Sequence, residues 1–434
     1  MGEYKKSVYF QSGIFQNQGL LFTLVASFSS SFVLYLLTLA PTVTFEDSGE
    51  LITAAYHLGI PHQPGYPLFT LLGRIFSLIP VGTIAYRLNL MSAFFTALGA
   101  MWLSWTIIRI LDELYPPEQN DDRKSAHHKQ VAKHFCALSA SLLMVTAYET
   151  WEQSIITEVY GLNAMFTTLL LLLAVIWKQE RSHTQRIRIY LLICYLLGLT
   201  FSNHTTSLMM LPILLVFTLS IDHRFLLSIK RLAMGIAFLL LGLTPYLYLP
   251  VASSRDPIMD WGNPENWTNF WRTITRSQYN LNDPHTWERF SAQTMAYLDM
   301  LLHQWKPWVL IFALIGFLGF IFRTQPPSKH EKGNRGSEQT TMKNFYPYVY
   351  LSLIFLFFAV PVTTYMTNFD VANPVPAIAN ENKALVSVFY IPSYIFLALL
   401  MGIGLYVLLD KILQYKQLFQ IGCMAVVGIP ILVG

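Results

Sequence analysis

LLFTLVASFSSSFVLYLLTLAPTVTFEDSGE, residues 20–50, sets a long apolar run directly against a cluster of carboxylates. The first part, Leu20 to Ala40, carries no charge and is as long as the roughly 20 apolar residues that a helix needs to cross a bilayer. No small-residue cleavage site follows it, so it reads as a retained helix. The second part, Thr44-Phe45-Glu46-Asp47-Ser48-Gly49-Glu50, puts three acids at the lip of that helix. Ionised groups are expensive near lipid, and a membrane chain that keeps them there invites a functional explanation.

The rest of the chain agrees with a membrane solvent. Of 434 residues, 53% are hydrophobic and 12% charged, with a mean hydropathy of +0.42; a soluble domain carries about 25% charged residues. A formal net charge of +4 offers no footprint for nucleic acid. The three cysteines, Cys136, Cys194 and Cys423, stand far apart in apolar stretches and form neither a disulfide framework nor a zinc motif. Apolar runs near 20–40, 84–111, 133–150, 159–177, 188–202, 205–221, 232–250, 307–322, 345–365, 384–409 and 418–434 predict about eleven transmembrane helices in one all-α polytopic domain, 1–434.

Lys and Arg collect in alternate loops: 112–132, 178–188, 222–231, 323–344 and 410–417. Loops 41–66 and 148–158 have none, and loop 366–383 has only Lys383. By the positive-inside rule the N-terminus and the basic loops are cytoplasmic. Loop 323–344 reads as a polar cytoplasmic linker. Loops 41–83 and 251–306 face outward, the first carrying short amphipathic helices and the second rich in Trp. The stretch 67–80 is too short to span and reads as an interfacial or re-entrant helix.

Within the first outer loop, Asp47 to Gly59 reads as a short helix. Asp47 stands at its N-cap and Glu50 three residues on, as in a capping box, while Gly59-Ile60-Pro61 reads as the stop. Acids this close raise one another's pKa, which suits proton abstraction. Capping alone is the structural alternative. His57 and His62 beside the acids allow a divalent metal, but no HExxH and no close His–Cys spacing supports one, and no cofactor is called for.

Several stretches together resemble a known family: Pro41 to Glu50, His62-Gln63-Pro64-Gly65-Tyr66-Pro67-Leu68-Phe69, and Ala85-Tyr86-Arg87-Leu88-Asn89-Leu90. Trp151-Glu152-Gln153-Ser154 with Glu158 to Asn163, Ser202-Asn203-His204-Thr205-Thr206, Pro245 to Pro250, and Trp261-Gly262 extend the match, and Asn368-Phe369-Asp370 with Glu381 to Tyr390 fits more loosely. The chain resembles the polytopic O-mannosyltransferases of plexin-type domains, a branch of the GT-C glycosyltransferases with bacterial and eukaryotic relatives. It departs at Glu46, where many relatives have Trp or Gly, and at Gln63, where the family has a second Pro.

The resemblance implies a GT-C-like bundle that moves a sugar, mannose in the animal member, from a polyprenyl- or dolichyl-phosphate donor to a hydroxyl of a protein or glycan. Transfer would take place on the outer face with inversion. It implies Asp47 as general base, with Glu50 beside it. Candidates for contacting the substrates are His62, Tyr66, Arg74, Arg87, Glu158, Asn203, His204 and Lys383, with Arg276 a further outer cation. Arg74 and Arg87 have the alternative of anchoring helices, and Glu158 of capping one. The expected setting is a bacterial inner membrane, or the endoplasmic reticulum in a eukaryotic host, with membrane lipid as the surroundings. A transporter or lipid flippase is the competing class. Such proteins usually show internal repeats, and none is visible.

Overall fold

The computed structural model describes residues 18–116, 123–279, 284–322, 346–412 and 428–430. Eighteen α-helices follow one another there: α1 (Gln18–Thr38), α2 (Ser48–His57), α3 (Pro67–Ser77), α4 (Ile84–Leu114), α5 (Arg123–Val145), α6 (Tyr148–Ile155), α7 (Tyr160–Gln179), α8 (His183–Phe201), α9 (Met210–Asp222), α10 (Ile229–Gly242), α11 (Tyr248–Ser253), α12 (Trp267–Ile274), α13 (Trp287–Gln304), α14 (Pro307–Phe322), α15 (Tyr346–Phe357), α16 (Thr363–Thr367), α17 (Pro376–Ser387) and α18 (Ile391–Ile412). No strand occurs among the described residues, so the protein is an all-α polytopic membrane protein.

Among the described residues, six helical stretches are long and apolar enough to cross a membrane: 18–38, 84–114, 160–179, 205–222, 346–367 and 376–411. Counting each of three bent pairs as one crossing raises the number to nine. The bends have local causes. α10 gives way at Thr244-Pro245, and Pro307 opens α14 after a 102° turn from α13; a proline ring supplies no N–H and clashes with the preceding turn. α6 turns 68° from α5. The expected count of about eleven also includes α8, which is helical but opens on the polar His183-Thr184-Gln185-Arg186. It further includes 418–434, which lies outside the described residues except for 428–430. The linker 323–344 lies outside them too.

Lipid-embedded helices have little apolar drive to associate, so close packing through small residues replaces it. Here α14 crosses α18 at Gly316 and Gly404, where a Cβ on either would run into Phe312 or Leu400 backbone oxygen. α8 crosses α10 at Gly198 and Gly242 in the same way. α4 is the central post and touches α1, α5 and α7. Ser27 Oγ of α1 lies 2.7 Å from Ser104 Oγ of α4 and accepts from Ser141 Oγ of α5 at 3.3 Å.

At the end of the bundle that carries α2, polar ties fix the loop between α1 and α4. Buried Asn89, on α4, donates its amide to the carbonyls of Ala40 (2.8 Å) and Thr42 (3.1 Å) and accepts from Thr157 Oγ1. Ser92 Oγ bridges the backbone of Glu158. Ile60 accepts from Trp261 N–H and donates to Met259 O, a short parallel bridge that pins the Trp-rich loop onto the first loop. Gly59 is required there by contact: a Cβ would meet Met259 O at 2.6 Å. The left-handed residue that ends α2 is Leu58, φ 55°, one residue before the glycine that the sequence marks as the stop.

Candidate functional site

The first turn of α2 begins with Glu46 in the left-handed region (φ 61°) and Asp47 at the N-cap. Asp47 holds the capping position through its backbone, accepting Leu51 N–H at 2.9 Å, but its carboxylate makes no capping hydrogen bond. The capping box expected from spacing is therefore not formed by side chains. Glu50 turns instead to the loop that follows α2. Its Oε1 accepts the backbone N–H of His62, and its Oε2 lies 3.2 Å from His62 Nδ1. On the far side of the ring, His62 Nε2 lies 2.9 Å from Tyr66 Oη and 3.7 Å from Asp47 Oδ2.

The two acids thus have different surroundings. Burial would raise Glu50, but hydrogen bonds and charge from His62 outweigh it and leave the carboxyl below its ordinary value. Asp47 has only the longer contact with His62. Its desolvation and the neighbouring Glu50 carry its pKa above the ordinary carboxylate range, against the pull of His62 and Arg276. Its side chain is 54% exposed, so it can be reached from solvent. A reachable carboxylate with a raised pKa is what a general base needs.

Behind this pair stands a buried wall. The Tyr66 ring stacks on His204, with centroids 5.9 Å apart and planes 8° apart. His204 Nδ1 accepts the backbone N–H of Thr206 at 3.2 Å, which puts the proton of the neutral ring on Nε2. Burial, then the charge of Arg276, holds His204 well below its ordinary pKa, so it stays neutral. Glu158, 3% exposed, accepts Val159 N–H at 3.2 Å, while its Oε1 has no partner. Burial, reinforced by Asp47 and Glu46, pushes its pKa well up. Asn203 is fully buried; its amide donates to Val159 O at 3.2 Å and its Oδ1 has no partner.

The fold thus gathers Asp47, Glu50, His62, Tyr66, Glu158, Asn203 and His204. Three other candidates lie elsewhere. Arg74 donates to Tyr56 O at 2.8 Å and sits over the Tyr56 ring, tying α3 to α2. Arg87 places its guanidinium on the carbonyls of Ser77, Val81 and Gly82, knotting the turn before α4. Lys383 lines a separate cavity with Glu149, Asp299 and His303.

Among the described residues the cation that does enter is Arg276, from the loop after α12. It is held at φ 56°, donates to Thr205 Oγ1 at 3.0 Å and lies 4.7 Å from the Tyr279 ring centre. No motif singles it out; the bridge at Ile60 and a bond from Gln278 N–H to Gln63 Oε1 at 3.1 Å bring its loop here. Glu46 also belongs to the neighbourhood, accepting from Gln153 Nε2 at 3.1 Å.

Asp47, Glu50 and His62 each offer an atom within 4.8 Å of the others, a spacing that a metal ion could use. Both ring nitrogens of His62 are already engaged, by Glu50 and by Tyr66, so a cation would have to displace one of them.

The site is thus a carboxylate–histidine cluster of an all-α membrane protein, backed by a buried neutral histidine and an arginine. Residues 47–226, which contain α2 to α9, match the family described as Protein O-mannosyl-transferase TMEM260 N-terminal domain. The chain is 34% identical over 260 residues to Protein O-mannosyl-transferase TMEM260 of Mus musculus, covering 59% of this chain and 34% of the relative. It is 28% identical over 320 residues to Protein O-mannosyl-transferase tmem260 of Dictyostelium discoideum, covering 69% and 36%. The chain thus spans about a third of the length of these curated relatives. No solved structure matches.

Proposed function

We propose that this protein is a GT-C-type membrane glycosyltransferase. It moves a sugar, mannose by the names of its relatives, from a polyprenyl- or dolichyl-phosphate donor to a hydroxyl of a polypeptide on the outer or lumenal face. Asp47 takes the proton from the acceptor hydroxyl. That oxygen forms its bond to the anomeric carbon from the face opposite the phosphate, and the carbon–oxygen bond to phosphate breaks with its electron pair on the lipid phosphate. The configuration inverts. Arg276 balances the charge on the departing phosphate, and the Nε2–H of neutral His204 is a donor for the same group. Glu50 holds His62, and His62 holds Tyr66 and faces Asp47.

The observation that carries this reading is the pairing of a reachable, weakly partnered Asp47 with Arg276 in one rim site. A rim position lets a water-borne acceptor meet a membrane-borne donor. The three bent helix pairs give no support to a transporter, because the polar groups of the site gather at one end of the bundle and not at its middle.

The deciding experiment is transfer of radiolabelled mannose from a synthetic lipid phosphate to a hydroxyl peptide by the purified protein in liposomes. Labelled peptide, dependent on Asp47, is the expected result; no transfer with any lipid-phosphate sugar would sink the proposal. Sidedness is tested separately. With the native cysteines replaced, a cysteine at Glu265 should react with an impermeant thiol reagent in sealed cells, and one at Ser182 should not. The reverse pattern would invert the topology.

A further inference from the structure

A cavity of about 180 Å³ lies among α7, α8, α9 and α10, at the end of the bundle away from Asp47. α7 starts at Tyr160, whose ring is 5.2 Å from that of His204, and a rise of 1.5 Å per residue carries Trp177 about 25 Å from there. α10 packs on α8 while α9 leans on α15, which leaves a groove between α9 and α10. Its lips are Leu211 and Leu215 of α9 and Leu232 and Ile236 of α10, each about half-exposed. α9 belongs to a stretch long and apolar enough to cross a membrane, and α10 with α11 forms one of the bent pairs, so the lips face acyl chains. No charged residue lines the wall.

One end of this apolar wall is different. Trp177, which lines the cavity, is 2% exposed, and its Nε1–H has no acceptor. The Arg186 guanidinium lies over the Trp177 ring, 4.2 Å from its centre. Its Nη1 donates to Asp222 Oδ2 at 3.1 Å, while its buried Nε and Nη2 have no acceptor. Among the described residues these three are the only buried side-chain nitrogens without a partner; the other unpartnered buried side-chain atoms are oxygens. The groove therefore ends at a set of donors that calls for acceptor oxygens.

Positive charge surrounds the same end. Arg231 precedes Leu232 of the wall and is fixed by the carbonyls of Phe225 at 2.6 Å and Arg224 at 3.3 Å. It lies over the Phe225 ring, which itself stands 5.1 Å from Trp177. Arg224 and Lys230 are exposed. Among the described residues none of these three cations has an acidic partner. Of the acids in the two adjoining turns, Asp222 is matched by Arg186, and Glu180 accepts Ser182 N–H at 2.7 Å.

We propose that this groove holds an acidic phospholipid, with one acyl chain along the cavity and the ester and phosphate oxygens at Trp177, Arg186 and Arg231. The chemistry matches part by part. An acyl chain suits a wall without charge. Ester and phosphate oxygens only accept hydrogen bonds, as the unpartnered nitrogens require. A negative headgroup meets Arg224, Lys230 and Arg231, and basic pockets between membrane helices recognise acidic lipids in this manner. A sterol brings no anion, a zwitterionic lipid brings no net charge for three unmatched cations, and a soluble anion leaves the apolar wall uncovered. The site is remote from Asp47 and does not depend on the glycosyl-transfer reading.

The full chain in detergent tests it. It is incubated with phosphatidylglycerol, with phosphatidylcholine of the same chains, or with undecaprenyl phosphate, and bound lipid is counted by native mass spectrometry. The wild type should retain one phosphatidylglycerol with a preference of about tenfold over phosphatidylcholine, as a few cations near a headgroup supply, and should melt at a higher temperature in its presence. Glycerol 3-phosphate, a headgroup without chains, should neither bind nor stabilise. Leu215→Trp with Ile236→Trp fills the lips and should abolish retention. Arg224→Gln with Lys230→Gln removes exposed charge only; it should cut the preference about threefold to tenfold and leave the melting point of the lipid-free protein unchanged. If the Trp pair does not fold, the Gln pair still decides. Equal retention of the two phospholipids, an undiminished preference in the Gln pair, or stabilisation by glycerol 3-phosphate alone each overturns the site. Retention of undecaprenyl phosphate in preference to phosphatidylglycerol overturns it as well and gives the groove to a prenyl chain.

Discussion

At one end of the bundle, Asp112 is held by Lys133 at 2.9 Å, Glu113 by Lys178 and Asp222 by Arg186 at 3.1 Å. At the other, Glu46, Glu149, Glu152 and Glu158 have no Lys or Arg ion pair among the described residues, and Asp47 and Glu50 share a histidine. The first set is spent on structure: each pair joins two helices, and Glu113 also accepts from Tyr348 Oη at 2.7 Å. The second set lacks Lys and Arg partners in partly dry surroundings, which pushes Asp47, Glu149, Glu152 and Glu158 toward the neutral form. That is unfavourable for folding alone and useful for binding cations and moving protons. One chain therefore sorts its carboxylates by task, and the sorting is open to attack from both sides.

The largest effect is expected at Asp47. Asp47→Asn should cut turnover by about 10²–10⁴, the usual contribution of a general base, with an unchanged melting profile in detergent. No side-chain cap is lost, since the carboxylate makes none. A base must be ionised, so activity should fall as pH drops through the Asp47 pKa, and its raised value places that acid limb above the ordinary carboxylate range. Glu50 gives the opposite sign in stability. Its folded pKa is lowered, so its stabilisation is present above the unfolded value and is lost as pH falls through the folded one. Wild-type turnover in folded Asp47→Asn would return Asp47 to a structural role and make Glu158 the next candidate.

The cations should split in the same manner. Arg276→Ala should lower kcat/KM for the donor by about 10- to 100-fold, in line with about 1.5–3 kcal/mol for a hydrogen bond to a charged group. Arg87→Ala and Arg74→Ala remove helix ties and should lower thermal stability while leaving donor kinetics of the folded protein alone. Equal kinetic losses at all three would mean that the phosphate is gripped diffusely.

On the structural end, Lys133→Ala leaves Asp112 without its cation, and Lys133 itself is 2% exposed. Breaking a buried pair typically costs about 3–5 kcal/mol, less where one partner is partly exposed as Asp112 is. A melting point several degrees lower with unchanged turnover per folded molecule is the expected pairing. A drop in turnover without a drop in stability would couple the two ends.

Much of this was legible in the chain itself. Thr44 to Glu50 announces the acids, and His62, Tyr66 and His204 stand in recognisable runs, because local sequence fixes what lies within one turn or one loop. Periodic apolar runs fix most of the helices for the same reason. Two things were hidden. Spacing cannot tell a capping carboxylate from one drawn away by a later residue, and Glu50 is drawn to His62. Nor can it tell which distant arginine will arrive: Arg276 is delivered by a backbone bridge at Ile60 and Met259 that no side-chain pattern announces, while Arg74 and Arg87, nearer in sequence, are consumed by carbonyls. The helix count differs because α8 opens on a polar turn and 418–434 lies outside the described residues except for 428–430.

The smallest effect is expected from removing divalent metal. Asp47, Glu50 and His62 lie within ligating distance of one another, and a site of this kind often invites an ion. A ligating histidine needs a free nitrogen, yet Nδ1 faces Glu50 and Nε2 faces Tyr66. Glu50 is itself committed to the His62 backbone. Binding an ion would break hydrogen bonds that already satisfy the cluster. Treatment with EDTA should therefore leave transfer unchanged, and added Mn²⁺ or Mg²⁺ should not raise it. Tyr66→Phe frees Nε2 and gives the sharper form of the test. If that variant gains metal-dependent activity while the wild type has none, the hydroxyl of Tyr66 is what keeps the ion out. Loss of wild-type activity on chelation, restored by one metal, would instead move Asp47 from base to ligand and hand the proton to Glu158.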